Sequence, residues 1–221
     1  MHKFRNYNSP EYTILKEVFE RIPMMDVYIA SIVEEYIYSI VREYYPPEES
    51  GSLKVEYVTK YGEKHGEYKE WDPRSKKSVF GCGQLRVQTT YVDGKECGEY
   101  KEWYHTGQQH IKTTYINGKQ HGEYTSWRNN GEKWCQYMCV EGKKCGAYKY
   151  WYRDEGRVQL LEQTEFVDDK RNGEYTSWHP NGQQHVKTTY VEGKLDGKYQ
   201  EWDEHGQIIR ECIYQNGEEI V

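Results

Sequence analysis

Four histidines stand where this chain could perform acid–base chemistry, in two pairs that each flank a predicted turn: His105 with His110, and His179 with His185. A histidine beside a carboxylate is a common general base, and acidic residues are abundant here. His110 and His185, however, each end the same string, GQQH, so they are copies of one repeat position. Catalytic sites are single constellations, and the sequence contains no phosphate-binding loop or nucleophile elbow. We therefore predict that the protein is not an enzyme.

Three of the six cysteines lie close together, at Cys135, Cys139 and Cys145. Cysteine thiolates bind zinc, but no pair has CxxC spacing, and the nearest histidines, His121 and His179, do not stand at ligand spacing. We predict no metal and no cofactor, and we interpret these thiols as small side chains that fill repeat positions. The low cysteine density and the absence of an apolar stretch at the start predict a reducing, intracellular location.

Composition narrows the classes of partner. The 221-residue chain has a net charge of -6, which disfavours binding to a nucleic acid backbone. Its most apolar stretch, residues 27–45, contains four charged residues, so we predict no membrane span. Aromatic residues make up 15% of the chain, with 23 tyrosines, while all hydrophobic residues together reach only 36%. This balance predicts a core built largely from aromatic rings with polar ends.

The aromatic residues follow a repeat of about 24 residues. A glycine opens each unit, a tyrosine follows two residues later, and a tryptophan follows five residues after the glycine. The six sets are Gly66, Tyr68 and Trp71; Gly98, Tyr100 and Trp103; Gly122, Tyr124 and Trp127; Gly146, Tyr148 and Trp151; Gly173, Tyr175 and Trp178; and Gly197, Tyr199 and Trp202. Six of the seven tryptophans share one repeat position, so the chain is a repeat array.

Each unit is predicted to be a β-hairpin. Asn130-Gly131 and Asn181-Gly182 predict tight hairpin turns, because both residues tolerate positive φ. Strings such as HIKTTYI then alternate apolar and polar residues as a strand does, and a second turn such as Asp93-Gly94 or Asn117-Gly118 closes the unit. A lone two-stranded hairpin is marginal in water, so the units must stack into an elongated antiparallel meander.

Two units depart from this rhythm. The first carries about eight extra residues within 73–83, and the fourth carries three extra within 153–161. These segments predict protruding loops, which is where function is often found. For the repeated tyrosines and tryptophans themselves, two interpretations stay open. They form the packed core of the array, which we favour, or they present an aromatic face to a partner.

The array resembles MORN repeats of the variant form. The string NGKQHGEYTSWRNNG, residues 117–131, carries the pattern in full, and the resemblance covers roughly residues 52–221. It implies a twisted β-meander that serves as an interaction or scaffolding surface. We therefore expect a mainly β protein with a repeat array at 49–221.

Before the array, the sequence predicts a small α-helical head at residues 1–48. Apolar residues recur at helical spacing in two series, 14–22 and 29–44, with Pro23 between them and Asp26 placed as an N-cap. The second series runs through Ile40, Val41 and Tyr44. One interpretation is an amphipathic cap over the open end of the sheet.

This head also resembles an F-box. The residues at the motif positions are Val18, Phe19, Ile22, Pro23, Asp26, Val27 and Val33. Val27 stands where the motif usually has leucine. The resemblance implies docking on a Skp1-type adaptor, with the repeats presenting a target for ubiquitin transfer.

Taken together, the residues and resemblances predict a protein–protein interaction adaptor or scaffold. F-box-like segments joined to such repeats resemble proteins of the marseillevirus group of giant viruses. That resemblance implies an alternative role as a structural or virion-associated protein, with virion or host proteins as partners. Similar repeats in bacterial antitoxins imply a third role, as an antitoxin-like binding protein.

Overall fold

A computed structural model describes residues 37–46, 51–72, 83–154 and 156–220. Every regular element within these ranges is a β-strand, and all of the strands join one antiparallel sheet of 19 strands. The predicted mainly β meander is therefore confirmed. Most of the predicted helical head, including every F-box-like residue, lies outside the described residues, as does the long insertion of the first unit.

In chain order the strands are β1 (Tyr38–Tyr44), β2 (Leu53–Lys60), β3 (Glu63–Asp72), β4 (Gln84–Val92), β5 (Lys95–Glu96), β6 (Gly98–Trp103), β7 (Gln109–Ile116), β8 (Lys119–Gln120), β9 (Gly122–Trp127), β10 (Lys133–Val140), β11 (Lys143–Asp154), β12 (Arg157–Val167), β13 (Lys170–Arg171), β14 (Gly173–Trp178), β15 (Gln184–Val191), β16 (Lys194–Leu195), β17 (Gly197–Trp202), β18 (Ile208–Gln215) and β19 (Glu218–Glu219).

Units join one another through the same kind of ladder that forms each hairpin. In the first unit, β3 pairs with β4, and β4 then pairs on its other side with β5 and β6 of the next unit. In units two, three, five and six the first strand opens with a two-residue strand, which one residue separates from the repeat glycine, whereas β3 and β11 run through that glycine without a break. The sheet is thus a meander in which each described strand contacts the strands hydrogen-bonded beside it.

Two kinds of turn alternate along the sheet. At one edge, two-residue turns such as Asn117-Gly118 have positive φ at both positions, 52° and 77°, which is the type I′ geometry that matches strand twist. At the opposite edge lie three-residue loops. Gly107 donates its N–H to the carbonyl of Tyr104 (2.8 Å), and Tyr104 donates its N–H to that of Gln108 (2.9 Å). This is a type I turn followed by a glycine bulge.

The Asn-Gly turns predicted from the sequence differ in type from the two-residue turns. Asn130-Gly131 and Asn181-Gly182 belong to the three-residue loops, and only their glycines have positive φ, at 87° and 89°. The two asparagines act through their side chains instead. Asn130 Oδ1 accepts a hydrogen bond from the N–H of Glu132 (3.1 Å), and Asn181 Oδ1 accepts one from the N–H of Gln183 (2.9 Å). Asparagine favours such local contacts in turns of several types, so the dipeptide alone does not fix the turn type.

The array contains a further unit that its sequence conceals. Residues 38–44, predicted as the end of a helix, form β1, which pairs with β2 in the register Val41↔Tyr57 and Tyr44↔Leu53. Tyr44 thereby takes the place of the repeat tryptophan, as in the pair Trp103↔Gln109. Apolar spacing of three and four residues misled the helix prediction here. The β-branched Ile40 and Val41 suit a strand, and β1 supplies the edge of β2 with backbone partners.

The tyrosines and tryptophans lie on opposite faces of the sheet. They are three residues apart on one strand, and side chains alternate between faces, so an odd spacing separates them. Small side chains lie directly opposite the tyrosines, as in Tyr68↔Thr89 and Tyr100↔Thr113. Those threonines are each 2% exposed, whereas the aromatic rings are only half-buried. The predicted aromatic core is therefore wrong in one respect, because the fully buried side chains are small and the rings cover them.

Side chains at the loop edge tie each unit to the next. The residue that follows the tryptophan reaches the backbone carbonyl of the next unit's tryptophan. Tyr104 Oη donates to Trp127 O (2.9 Å), and Arg128 Nη2 donates to Trp151 O (3.0 Å). Tyr45 makes the same contact with Trp71 O, which again marks β1 and β2 as a unit. At the other edge, the N–H of Gly118 donates to Glu96 O (2.8 Å) of the preceding unit.

The type I′ turns are tested by replacing their glycines. Gly118 and Gly142 have φ of 77° and 85°. A Cβ at Gly142 would meet no atom within 4 Å, and one at Gly118 would meet only the Lys95 stem. Gly118→Ala and Gly142→Ala should each lower the free energy of unfolding by about 1 kcal/mol, because a side chain strains the left-handed backbone. Urea unfolding measures the loss.

Lys119→Ala is the matched control, since that exposed side chain follows the same turn. It should change the free energy of unfolding by less than about 0.5 kcal/mol. Wild-type stability in Gly142→Ala would contradict the turn geometry.

Candidate functional site

The face that carries the repeat tyrosines, here called the tyrosine face, is an extended row of paired rings. Within the units, Tyr68 and Tyr91 have ring centroids 5.6 Å apart, and Tyr100 and Tyr115 have them 5.7 Å apart, both edge-to-face. Tyr175 with Tyr190 and Tyr199 with Tyr214 repeat the arrangement at 5.8 Å. The rings leave part of their surface accessible, so the face offers a continuous aromatic strip with hydroxyl groups.

In two units a third ring and a lysine complete a cage. Lys64 Nζ lies 5.1, 4.5 and 5.0 Å from the ring centres of Tyr57, Tyr68 and Tyr91. Lys144 Nζ lies 5.0, 5.4 and 5.5 Å from those of Tyr137, Tyr148 and Phe166. Each cage is filled by the chain's own cation. We therefore interpret the two cages as packing that stabilises the face by cation–π attraction, and not as open ligand sites.

Carboxylates accompany the tyrosines on the same face. Tyr100 Oη donates to Glu102 (3.2 Å), and Tyr199 Oη donates to Glu201 (3.2 Å). Burial, followed by the neighbouring carboxylate of Glu96, raises the pKa of Tyr91 to about 12. Burial and Glu201 likewise raise the pKa of Tyr199 to about 12. The hydroxyl groups therefore stay protonated and act as hydrogen-bond donors at neutral pH.

The histidines singled out by the sequence belong to this row of carboxylates. His110 Nδ1 lies 3.3 Å from Glu102, and His185 Nε2 lies 3.7 Å from Glu201. Arg86 pairs with Glu70 at the same repeat position. Two histidines and an arginine at one repeat position therefore each pair with a repeat-position glutamate, as expected of a packing position. The prediction that the protein is not an enzyme stays a prediction.

The opposite face, here called the ladder face, carries exposed ion pairs between neighbouring strands. Lys101 and Lys112 both reach Glu99, at 2.6 and 2.9 Å, and their hydrogen bonds lower the pKa of that carboxyl group. Lys187 pairs with Glu174 in the same way (3.3 Å). Such pairs contribute little to stability, but they give several charges of the face internal partners.

The row of charges is interrupted near the middle of the array. There Ala147 takes the position of Glu99, and Met138 is 42% exposed. The tyrosine face also changes at this point. Trp134, the seventh tryptophan, takes the repeat position of His110 and His185 and lies 6.4 Å from Tyr150, which takes the place of Glu201.

The cysteine cluster is divided between neighbouring strands, with Cys135 and Cys139 on β10 and Cys145 on β11. All three thiols are free, and Cys139 Sγ lies 3.3 Å from Gln120 Oε1. Burial raises the pKa of Cys139, so its thiol stays protonated. Among the described residues, no three histidine, cysteine or acidic side chains are grouped so that they could hold a metal ion.

Comparison with known protein families identifies two of the units. Residues 171–192 and 195–216 match the family described as MORN repeat variant. These segments span the fifth and sixth of the six units found by spacing, and the other units repeat their glycine, tyrosine and tryptophan positions. A search of curated proteins finds no match to the chain. The match concerns repeat residues alone and does not bear on the F-box-like segment.

The raised tyrosine pKa values predict alkaline unfolding. An unfolded tyrosine ionises near pH 10, whereas Tyr91 and Tyr199 ionise near 12 in the folded protein. Above pH 10 the unfolded chain loses protons that the folded chain keeps. The free energy of unfolding should therefore be unaffected by these groups below pH 10 and should fall as the pH rises toward 12. Tyrosinate absorbance and circular dichroism, followed in one titration, measure this.

Glu96→Gln is the informative variant, because it removes the carboxylate that faces Tyr91. Some tyrosinate absorbance should then develop before the sheet signal is lost. Complete ionisation near pH 10 in a chain that keeps its sheet signal would contradict burial of these hydroxyl groups.

Proposed function

We propose that this protein is a non-enzymatic scaffold that binds partner proteins through its tyrosine face. The observation that carries the proposal is the continuous row of half-buried rings, over which the described strands place no second layer. Tyrosine and tryptophan combine large apolar area with few rotatable bonds, and they dominate the energetics of protein interfaces. Because the titratable pairs are repeat copies held by packing, the proposal assigns no catalytic residue.

Repeats of this variant type are associated with binding to proteins or to lipids. The net charge of the whole chain, -6, favours a protein over an anionic lipid. Glu70, Glu102 and Glu201 stand among the rings, together with the cations Lys64, Arg86 and Lys144. Anionic lipid surfaces attract clusters of lysine and arginine, whereas the cations described on this face are interspersed with carboxylates. Within the part of the chain that the structure describes, no helix has the length and apolar character needed to cross a membrane.

Matched face variants test the proposal, with each substitution taken from a sibling unit. Tyr115 and Tyr190 become cysteine, the residue that unit three carries at that position (Cys139). Thr114 and Thr189, on the ladder face, become methionine, as in Met138. Proteins that co-purify with the full chain under reducing conditions are quantified by mass spectrometry. The tyrosine-face double variant should lose its partners by about tenfold or more, because the ring contacts are gone.

The ladder-face double variant should keep its partners, and circular dichroism should show both variants folded. Equal retention by the two folded variants would contradict a tyrosine-face interface.

For the residues that precede the sheet, the adaptor hypothesis supplies a finer function. The F-box-like positions, which lie outside the described residues, would dock on a Skp1-type adaptor. The full chain should then co-purify with that adaptor, and Pro23→Ala combined with Asp26→Ala should abolish this without changing the thermal melting of the sheet. Absence of the adaptor from the unmodified chain would remove the hypothesis. The virion-associated and antitoxin-like roles stay predictions from resemblance.

A further inference from the structure

The fourth unit extends the sheet beyond its loop edge. In the other described units the first strand ends at or one residue after the tryptophan position, whereas β11 and β12 continue past Trp151. Three further pairs form, Tyr152↔Gln159, Arg153↔Val158 and Asp154↔Arg157. This is the departure that the three extra residues predicted, and the described residues of the protrusion form two paired strands.

One side of this hairpin is an open strand edge. The ladder between β10 and β11 ends at Cys135↔Tyr150, so residues 152–154 pair only with β12. A strand edge presents backbone N–H and C=O groups that can receive another strand. The sheet offers this edge in its middle, at some distance from its first and last strands.

The tyrosine-face side of the edge is aromatic. Tyr148, Tyr150 and Tyr152 follow one another at alternate positions, so they share that face. Trp134 lies beside Tyr150, and the guanidinium of Arg128 lies 5.6 Å from the Trp134 ring centre. Trp134 and Tyr152 are each 38% exposed. At the matching place between units five and six stand His185 and Glu201 (3.7 Å), so this unit has an aromatic pair where that one has an ion pair.

The ladder-face side of the same edge is basic. Arg153 projects there by alternation, and Lys133 Nζ lies 5.9 Å from the Trp151 ring centre. Glu132 lies 3.2 Å from Arg153 and is the one carboxylate that pairs with these cations among the described contacts. Apolar and cationic contacts are therefore divided between the two faces of one open edge.

We propose that residues 152–154 bind an extended, acidic segment of a partner protein as an added strand. Side chains of such a strand alternate between faces. Apolar ones would meet Trp134 and Tyr152, and carboxylates would meet Lys133 and Arg153. This inference rests on the proposed scaffold function and names the chemistry of one partner. A hairpin that only closed the unit would not require three extra pairs, because the sibling units close with a three-residue loop.

The probe is a fluorescein-labelled octapeptide of alternating leucine and glutamate, titrated with the full chain in a fluorescence anisotropy assay. We expect saturable binding with a Kd below roughly 1 mM, weakening as salt is added. Trp134→His installs the residue that units two and five carry, so the fold should persist, and it should weaken binding by about tenfold. Arg153→Glu should weaken it as well. In hydrogen exchange, the peptide should protect amides within 152–154.

Controls separate the components of the proposal. A leucine–lysine octapeptide should not bind, and one with alternate backbone nitrogens methylated should bind at least about tenfold more weakly, since its N–H groups are blocked. His110→Trp places the aromatic residue in a unit without the extension and should create no second site. Equal binding of acidic and basic peptides, unchanged affinity in Trp134→His, or no saturation would overturn the inference.

The variants at Tyr115 and Tyr190 show whether a negative result concerns the strand-addition site or the proposed scaffold function. If those variants lose partners while the peptide fails to bind, only the strand-addition site is removed. If the peptide binds while the face variants keep all partners, the edge is the interface and the tyrosine face is packing.

Discussion

The backbone ladder between the second strand of one unit and the first strand of the next is the interaction on which the rest of the structure depends. A lone hairpin of this size is marginal in water, and the described strands have no second layer to pack against. Each unit is therefore stabilised by its two neighbours, as in other repeat arrays. Side-chain hydrogen bonds from Tyr104 to Trp127 O and from Arg128 to Trp151 O stabilise this ladder at one edge. Backbone hydrogen bonds between successive type I′ turns and the preceding unit stabilise it at the other.

A single layer also explains why the buried residues are small. Threonine and valine fit beneath rings that lean across neighbouring strands, and β-branched side chains favour the strand conformation. The rings then shield the ladder from water on the tyrosine face, while the ladder face is shielded by half-buried tryptophans and paired charges. Side chains on both faces of the described sheet therefore keep part of their surface accessible.

Much of this fold could be predicted from spacing, because a 24-residue phase with fixed glycines constrains every strand. What spacing could not show follows from physical ambiguities. Asn-Gly suits two turn types, and the hydrogen bonds of the loop decide between them. Ile40, Val41 and Tyr44 fit a helix as well as a strand, and only the pairing with β2 resolves this. The placement of tyrosine and tryptophan on opposite faces follows from their spacing of three residues, which is odd. From the sequence alone, we grouped the two residue types together and did not draw this consequence.

Repetition also supplies an internal standard for function. A position whose side chain pairs with a carboxylate in several units is explained by folding, so Arg86 at the place of His110 and His185 supports the prediction that these histidines are not catalytic. A residue that breaks the pattern has no such explanation. Trp134 removes an ion pair that the fold tolerates elsewhere, and the extension beyond Trp151 exposes a strand edge that a short loop would have closed. Exposed edges invite aggregation and are normally suppressed. A chain that keeps one beside an exposed tryptophan therefore most simply keeps it for a partner.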